Sequence, residues 1–232
     1  MKKHIVVMTG AGVSQESGIK TFRDADGLWE GHDVQEVATP QGFAKNPDLV
    51  QTFYNQRRAQ LKTVSPNAAH YALVSLEQKY QVSIITQNVD NLHEEAGSNN
   101  VVHLHGELSK VRSTQYENLV YDWDKDLHTG DLCEKGYQLR PHIVWFGEAV
   151  PMLDKAVEIT STADIVIIIG TSMQVYPAAS LVGFAPAGIP IYYVDPAPTL
   201  NYELQAANAV EIIQEKAGKG VAELVERLLL EV

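Results

Sequence analysis

Two histidines stand two positions apart in the apolar segment NVVHLHGELSKV, residues 100–111. A metal site would need both His103 and His105, a buried strand would tolerate either, and an active-site base would need only one. An imidazole titrates near neutral pH, so a single histidine can take a proton from a substrate hydroxyl. The pair alone leaves these three interpretations open, and the choice depends on the other groups in the chain.

The segment HIVVMTGAGVSQESGIKTFR carries a second chemical signal, because Gly10 and Gly12 directly follow an apolar run. Glycines at such a turn let backbone N–H groups approach a pyrophosphate closely. The dehydrogenase fingerprint would place a third glycine at position 15, where this chain has Gln15. The segment therefore favours nucleotide binding over a plain tight turn. The missing third glycine makes a hydride-transferring dehydrogenase the weakest of the alternative functions.

Small and amide side chains follow two further apolar runs, in TQNVDNLH (86–93) and IIIGTSMQVYPAA (167–179). In open α/β sheets, ligands bind outside the carboxyl ends of the strands. With the glycine turn, three strand ends should converge on one crevice and form a dinucleotide site. The residues at the two later strand ends are Gln87, Asn88, Asp90, Gly170, Thr171 and Ser172.

These groups need a sheet to position them, and the chain contains several short, mostly β-branched apolar runs. Such runs are typical of parallel strands covered on both faces. Helical patterns lie between several of them, predicted over 66–80 with Ser65 as the cap and over 221–230. The alternation predicts an α/β fold with a Rossmann-like, doubly wound parallel sheet. The predicted strands are 5–8, 82–86, 101–104, 165–169 and 189–194.

Two polar stretches depart from this alternation, and we expect them to be insertions that pack together as a small lobe. Residues 23–64 contain no strand-like run, although 47–61 reads as a helix, and residues 107–140 are polar with scattered aromatics. We therefore expect a single domain over 1–232. Its large nucleotide-binding lobe would comprise 1–22, 65–106 and 141–232, and its small lobe 23–64 and 107–140.

The length, net charge and cysteine count of the chain argue against several classes of function. With 232 residues, 45% of them apolar, the chain suits one globular domain, and a net charge of −11 argues against nucleic-acid or anionic-membrane binding. Its single cysteine excludes an internal disulfide and a cysteine-rich zinc site. The apolar run after the N-terminal lysines is too short for a signal peptide, and no run could span a membrane. We expect a cytoplasmic protein.

Five motifs together resemble those of the sirtuins, which are NAD-dependent protein-lysine deacylases. They are GAGVSQESGIKTFRDADGLWE, TQNVDNLH, HLHGEL, RPHIVWFGE and GTSMQVYPAA, which occur in the family's order and span residues 10–179. The resemblance implies a Rossmann-like NAD lobe plus a small lobe formed by two insertions, in agreement with the pattern above. It also implies NAD as a consumed co-substrate and acyl-lysine proteins or peptides as partners.

The resemblance implies an NAD site distributed over the glycine loop and the strand ends. Asp195 stands where the family usually has asparagine, and since a carboxylate can accept hydrogen bonds from ribose hydroxyls, we expect binding to persist. The implied NAD-binding residues are Gly10, Ala11, Gly12, Ser14, Phe22, Arg23, Trp29, Gln87, Asn88, Val89, Asp90, Gly170, Thr171, Ser172, Asp195 and Ala217.

The same resemblance assigns the histidines, with His105 as the catalytic base and Asn88 as a second catalytic residue. The acyl-lysine carbonyl oxygen would attack the ribose carbon that carries nicotinamide. His105 would then take a ribose hydroxyl proton, so that the ribose attacks the acyl carbon. The products would be free lysine, nicotinamide and O-acyl-ADP-ribose. We expect a structural role for His103.

Zinc is the main departure from the family pattern. Most sirtuins carry two C-x-x-C pairs in the small lobe, whereas here the corresponding positions begin at Ser113 and at the lone Cys133. One thiolate cannot complete a tetrahedral site, so we expect no metal. Nothing in the sequence places His128 and His142 together as substitutes. We expect the lobe to be held by its aromatic residues Tyr116, Tyr121, Trp123 and Tyr137.

Substrate preference is predicted from Tyr54 and Arg57, which share a face of the helix over 47–61. A Tyr-x-x-Arg pair in this helix resembles the sirtuin subset that removes succinyl and malonyl groups, in which a guanidinium fork holds the distal carboxylate. Ala25 would leave room for a longer acid, and the neighbouring Arg58 is expected to face solvent. The residues Val144, Phe146, Gly147 and Glu148 of VWFGE would line the cleft that pairs with the peptide.

Three alternatives stay open. The chain could be a general lysine deacetylase, in which Tyr54 and Arg57 are only helix surface. It could be an NAD glycohydrolase or ADP-ribosyltransferase on the same fold, although that enzyme would need no peptide cleft. It could also be a non-enzymatic NAD sensor, against which His105 argues. We expect a monomer.

Overall fold

The computed structural model describes residues 2–20, 28–29, 31–207 and 209–231. In these ranges the chain forms the strands β1 His4–Thr9, β2 Leu28–Trp29, β3 His32–Asp33, β4 Gln81–Thr86, β5 Val101–His103, β6 Gly106–Ser113, β7 Val120–Asp122, β8 Leu139–Ile143, β9 Ile165–Ile169, β10 Ile191–Val194 and β11 Val210–Ile213. The helices are α1 Val34–Val37, α2 Pro40–Lys45, α3 Pro47–Leu61, α4 Ala68–Leu76, α5 Leu92–Ala96, α6 Leu153–Thr160, α7 Tyr202–Ala206 and α8 Ala217–Leu230. Short 3₁₀ turns cover Ala11–Val13, Gln15–Ser17 and Ala178–Phe184.

The main sheet has six parallel strands in the order β11-β10-β9-β1-β4-β5. The strands therefore run outward from β1 in both directions, which is the doubly wound arrangement. β1 and β9 pair at the point where the direction changes, and ligands bind outside the carboxyl ends of the strands at such a point. The α/β fold with a parallel sheet, predicted from the apolar runs, is confirmed.

Both faces of this sheet are covered, which explains why its central strands are continuously apolar. Every residue of β1 and of β9 is buried. One face packs against Leu73 and Leu76 of α4 and Leu224 of α8. The other face packs against Ala156 of α6 and the turn that contains Leu181. Helices on both faces leave the carboxyl edge of the sheet as the open side.

β11 is absent from the predicted strands, and its position in the sheet explains why. Among the described residues it pairs with β10 alone, at the edge of the sheet, and Ile212 is 44% exposed. An edge strand with one face toward solvent mixes apolar and charged residues, so it lacks a continuous apolar run.

The helix predicted over 66–80 is shorter than expected, and its predicted cap is wrong. α4 begins at Ala68, and its N-cap is Asn67 rather than Ser65. The Asn67 side chain accepts a hydrogen bond from the Ala69 N–H, and the Asn67 N–H donates to Nδ1 of His70. This reciprocal capping box satisfies two backbone N–H groups at the start of the helix.

The last helix begins earlier than predicted, at Ala217 rather than at residue 221. Its first turn is stabilised by Glu16, whose carboxylate accepts a hydrogen bond from the Gly218 N–H at 2.7 Å. A carboxylate at a helix N-terminus is favourable because the N–H groups there carry partial positive charge. The partner lies 202 positions away in sequence, so local spacing gave no signal of it.

The region predicted as a small lobe contains a three-stranded antiparallel sheet in the order β7-β6-β8. Its core is more aliphatic than expected, because Val111, Leu127, Cys133 and Leu139 form the buried cluster. Tyr121 and Trp123 pack against this cluster. Tyr116 and Tyr137 instead contact each other edge to face at 5.5 Å, and Tyr137 is 43% exposed. The prediction that all four aromatics hold this region is therefore only partly right.

Two expectations about residues 23–64 need correction, while the helix predicted over 47–61 is present as α3. β2 and β3 form a two-stranded antiparallel ladder where no strand was predicted. Arg58 is 4% exposed and does not face solvent. Its Nε donates to the Leu108 carbonyl oxygen at 2.9 Å, and its Nη1 donates to Oδ1 of Asn55 at 2.8 Å. Arg58 thus joins α3 to β6.

None of the helices in the described ranges is long and apolar enough to cross a lipid bilayer.

Candidate functional site

A cavity of about 500 Å³ opens at the carboxyl ends of β1, β4 and β9. This volume lies within the range of small-molecule binding sites. The cavity brings together most of the predicted site residues from distant parts of the chain. Its lining includes Gly10, Ala11, Gly12, Trp29, Tyr54, Gln87, Asn88, Val89, Asp90, His105, Val144, Phe146, Gly147, Glu148, Gly170, Thr171, Ser172 and Asp195.

The glycine loop after β1 lies directly against the loop after β9. The Gly12 N–H donates a hydrogen bond to the Gly170 carbonyl oxygen at 2.8 Å. A Cβ atom on Gly12 would lie only 2.6 Å from the Gly170 Cα, and Gly170 itself has a φ of +59°. Side chains at these positions would separate the two loops, so glycine here is required by backbone contact.

A buried polar network sits behind the glycine loop. The Asn88 amide donates to Oγ of Ser14 at 3.1 Å, and the Ser14 hydroxyl donates to the Asp90 carboxylate at 3.0 Å. Burial raises the pKa of Asp90, and hydrogen bonds from the Leu92 N–H and Ser14 oppose that rise. Ser14 is fully buried and is not among the lining residues of the cavity. It holds the side chains of Asn88 and Asp90 in position.

His105 lies in the cavity wall beside the end of β4. Its Nδ1 atom is 3.0 Å from the Gln87 carbonyl oxygen, and within the described residues no protein group bonds its Nε2 atom. Burial lowers the pKa of His105, and the hydrogen bond to Gln87 only partly offsets this effect. The imidazole is therefore neutral at pH 7. Because Nδ1–H donates to a carbonyl, Nε2 carries the lone pair and can accept a proton.

His103 has different surroundings, although it stands only two positions earlier. Its Nδ1 is 3.1 Å from the Asn88 carbonyl oxygen and its Nε2 is 2.7 Å from the Glu94 carboxylate. Burial lowers the pKa of His103, but the interaction with Glu94 outweighs burial and raises it overall. Both ring nitrogens have protein partners, and His103 is not among the residues that line the cavity.

Tyr54 and Arg57 lie in adjoining pockets rather than in one. Tyr54 is fully buried in the wall of the main cavity, where its oxygen accepts a hydrogen bond from Nε1 of Trp145 at 3.0 Å. Arg57 lines a pocket of about 40 Å³ and places its guanidinium 4.5 Å from the centre of the Phe53 ring. The two pockets share lining residues, including Trp29.

Glu148 lies at the cavity, but its carboxylate is engaged within the protein. It accepts hydrogen bonds from Arg140 at 3.1 Å, from Arg112 at 3.2 Å and from the Trp145 backbone N–H at 2.8 Å. Burial raises the pKa of Glu148, but the hydrogen bonds from Arg140 and Trp145 outweigh it and hold the pKa below its usual value. Glu148 therefore organises the VWFGE segment, and two arginines balance its charge.

Besides Ser14 and Arg57, four further predicted site residues are not brought to the cavity or cannot be placed. Ala217 is 5% exposed and packs in the core at the start of α8, outside the cavity lining. Phe22, Arg23 and Ala25 lie outside the described residues.

Several lining residues were not predicted. Trp145 is the most buried of them, at 2% exposure. The prediction for VWFGE named Val144, Phe146, Gly147 and Glu148 and left out the residue between the first two. Trp145 follows the end of the β8 strand at Ile143, and its side chain lines the cavity together with Val144 and Phe146. The other unpredicted lining residues include Gln15, Ile19, Lys20, Ala38, Val150, Val175, Tyr176 and Pro177.

Within the described residues, no group of three or more histidine, cysteine, aspartate or glutamate side chains could hold a metal ion. The Cys133 thiol instead contacts the Ser113 hydroxyl, with Sγ and Oγ 3.4 Å apart.

Comparisons with a family model, with named relatives and with solved structures all point to the same family. The model of the Sir2 family matches residues 10–177. A Helicobacter pylori (strain ATCC 700392 / 26695) protein named NAD-dependent protein deacylase is 56% identical over 232 residues, covering 98% of each chain. A Sir2 homologue solved as an NAD complex is 42% identical, with a TM-score of 0.87 and coverage of 99% and 91%. A Sir2 protein solved with a p53 peptide and NAD⁺ is 30% identical, with a TM-score of 0.77 and coverage of 99% and 93%.

Proposed function

This chain belongs to the Sir2 family, and we propose that it is an NAD-dependent protein deacylase that prefers succinyl- and malonyl-lysine and removes acetyl groups more weakly. The family and the general activity follow from the comparisons. The preference for acidic acyl groups is supported by the buried phenol of Tyr54 in the cavity wall, with the charge of Arg57 in the adjoining pocket.

The residues at the strand ends suit NAD. The close contact of Gly12 with Gly170 keeps side chains away from the space where a pyrophosphate would lie. The amides of Gln87 and Asn88 can hydrogen-bond the carboxamide, and the buried Asp195 carboxylate can accept from ribose hydroxyls. NAD, when bound, supplies a glycosidic bond that its positively charged nicotinamide ring makes easy to break.

The proposed role of His105 is to take a proton from a ribose hydroxyl. Its hydrogen bond to Gln87 fixes the ring orientation and leaves Nε2 as the acceptor toward the cavity. Asn88, held by Ser14, would orient the reacting groups beside it. His103 would support the same loop through the Asn88 carbonyl oxygen without contacting the substrate.

We propose acyl-lysine segments of proteins as substrates, bound along residues 144–147. A solved Sir2 relative holds a p53 peptide. Here the Val144 N–H donates to the His105 carbonyl oxygen, and Phe146, 48% exposed, stands at the rim of the cavity. An extended peptide could lie along this segment and project its acylated lysine toward His105. The net charge of −11 suits lysine-rich targets.

The acidic-acyl preference rests on complementary charge and hydrogen bonding. An aliphatic acyl chain that enters the cavity along Tyr54 would bring its distal carboxylate toward Arg57, which can bind it as a bidentate fork. Hydrogen bonds to charged groups contribute about 1.5–3 kcal/mol each. Losing them should lower selectivity by roughly tenfold or more, since a decade corresponds to about 1.4 kcal/mol.

The test measures NAD-dependent release of free lysine from matched succinyl- and acetyl-lysine peptides. Wild type should prefer the succinyl peptide, and Arg57→Met should lower the succinyl-to-acetyl ratio of kcat/KM by roughly tenfold or more. Gln56→Met alters the exposed neighbour of Arg57 on α3 and should leave the ratio unchanged, whereas His105→Tyr should abolish turnover of both peptides.

Two results would contradict the proposal. Equal turnover of both acyl peptides by wild type would leave a general deacetylase, with Arg57 as part of the helix surface. Release of nicotinamide from NAD without any turnover of peptide would instead identify an NAD glycohydrolase.

A further inference from the structure

Trp145 joins the substrate-binding segment to the helix that carries Tyr54. Its indole lies in the cluster formed by α1, α3 and β8, and its Nε1–H donates to the Tyr54 oxygen at 3.0 Å. An indole N–H can only donate, so the phenol oxygen must act as the acceptor in this contact. Tyr54 keeps one proton, and in the part of the chain that the structure describes no hydrogen bond uses it.

The position of Trp145 is fixed from several sides. The guanidinium carbon of Arg140 lies 3.3 Å from the centre of the indole ring, and Phe43 contacts the ring at 5.3 Å. Glu148 accepts from the Trp145 backbone N–H and also bonds Arg140. The ion pair and the cation–π contact therefore hold the ring and its backbone together. A ring fixed in this way presents its N–H to Tyr54 in one orientation.

We propose that Trp145 is a specificity-determining residue, which by occupying a lone pair of the Tyr54 oxygen directs the phenol proton into the cavity as a donor for an acidic acyl group. This inference rests on the proposed preference for succinyl- and malonyl-lysine. A phenol without the indole contact could rotate its O–H bond toward other acceptors, and the donor would be poorly oriented. Burial also raises the pKa of Tyr54, which keeps the phenol protonated near neutral pH.

An acetyl group has no distal carboxylate and cannot use this donor. The orientation of Tyr54 should therefore affect succinyl-lysine more than acetyl-lysine. This difference separates a specificity role from a general packing role, because a packing defect would lower turnover of both peptides together. Arg140, Arg112 and Glu148 act one step further away, through Trp145.

The main variant is Trp145→Phe, which retains an aromatic ring against Arg140 and Phe43 but removes the indole N–H. We expect the succinyl-to-acetyl ratio of kcat/KM to fall by roughly five- to tenfold, mainly through a higher KM for the succinyl peptide. Tyr54→Phe should lower the ratio by a similar factor or more. The double variant should be no worse than Tyr54→Phe, because both changes act through the same proton.

A second measurement does not depend on turnover. The chain has three tryptophans, so Trp145→Phe identifies the Trp145 indole N–H signal in a ¹H–¹⁵N spectrum of the wild-type protein. This signal should shift in Tyr54→Phe, which folds around the same ring but lacks the acceptor. In wild type without NAD, a succinyl-lysine peptide should move the signal more than the matched acetyl-lysine peptide does.

The outcomes separate this inference from the proposed function. If wild type prefers the succinyl peptide and Trp145→Phe keeps that preference, the role of Trp145 is wrong while the proposed function stands. An indole signal unaffected by Tyr54→Phe would also overturn the role of Trp145. If wild type shows no acyl preference, the proposed substrate class fails, and the role of Trp145 fails with it.

Discussion

Nδ1 of His105 lies 3.0 Å from the carbonyl oxygen of Gln87, in the strand end that also carries Asn88. This contact couples the tautomer of the proposed base to the backbone at the end of β4. Because a carbonyl oxygen only accepts, Nδ1 must carry the proton in the neutral ring, and Nε2 is left as the acceptor.

This arrangement predicts the pH dependence of deacylation. Burial lowers the pKa of His105 below its ordinary value of 6.5, so the base form is already present at neutral pH. kcat/KM should stay level as the pH falls from about 8 and should decline only below about 6.5, where the imidazole gains a proton. The measurement is a pH profile of lysine release, and a midpoint above 6.5 would contradict the assignment.

The contact between Gly12 and Gly170 predicts that a single methyl group disrupts NAD binding. Gly12→Ala would place Cβ 2.6 Å from the Gly170 Cα, so one of the two loops must move. We expect the KM for NAD to rise by roughly tenfold or more, since lost backbone contacts of this kind cost about 1–3 kcal/mol.

Gly183→Ala is the matched control for this prediction. Its Cβ would lie 3.1 Å from the Cγ atom of Glu203, a flexible side chain that can move. Steady-state kinetics with NAD as the varied substrate should show a near-normal KM for Gly183→Ala. Equal KM values for both variants would argue against close packing of the two loops as the cause.

Two adjacent arginines should have opposite effects on stability and selectivity. Arg58→Met removes buried hydrogen bonds to the Leu108 carbonyl oxygen and to Asn55, which should lower the free energy of unfolding by about 2 kcal/mol. Arg57→Met should change stability less and acyl preference more. Urea unfolding and peptide kinetics on both variants test this, and a loss of selectivity in Arg58→Met without loss of stability would contradict it.

The buried histidines predict loss of stability in mild acid. The His70 ring is fully buried, 4.8 Å from the His93 ring, and burial lowers the pKa of His70 to about 4. The unfolded chain binds a proton below pH 6.5 while the folded chain does not. The contribution of neutral His70 to the free energy of unfolding is therefore complete above about pH 6.5 and falls by about 1.4 kcal/mol per pH unit on acidification toward pH 4.

The variant His70→Gln tests how much of the acid-induced loss in unfolding free energy is caused by His70. A glutamine oxygen can accept the hydrogen bond that Nδ1 of His70 now accepts from the Asn67 N–H, and it does not titrate. The variant should be less stable than wild type at neutral pH but should lose less stability between about pH 6.5 and pH 4. Parallel curves of unfolding free energy against pH for the two proteins would rule out His70 as a source.

The sequence by itself determined the parallel sheet, the helix α3 and the strand ends that meet at the cavity. Strands buried on both faces must be continuously apolar, so their positions are visible without any tertiary information. Parallel strands carry their carboxyl ends to one edge, so residues that follow them must converge there. The glycines after β1 could be recognised from the sequence because they directly follow a continuous apolar run.

Only the tertiary structure decided which polar side chains form hydrogen bonds within the protein and which residues are their partners. The buried Arg58 donates to the carbonyl oxygen of a residue 50 positions away in the sequence. Trp145 donates to the Tyr54 oxygen, which is 91 positions away. The Glu94 carboxylate bonds one ring nitrogen of His103, whereas Nε2 of His105 at the cavity has no hydrogen-bond partner among the residues that the structure describes. Such partners follow from how distant segments pack, and the spacing of residues along a chain carries no signal of them.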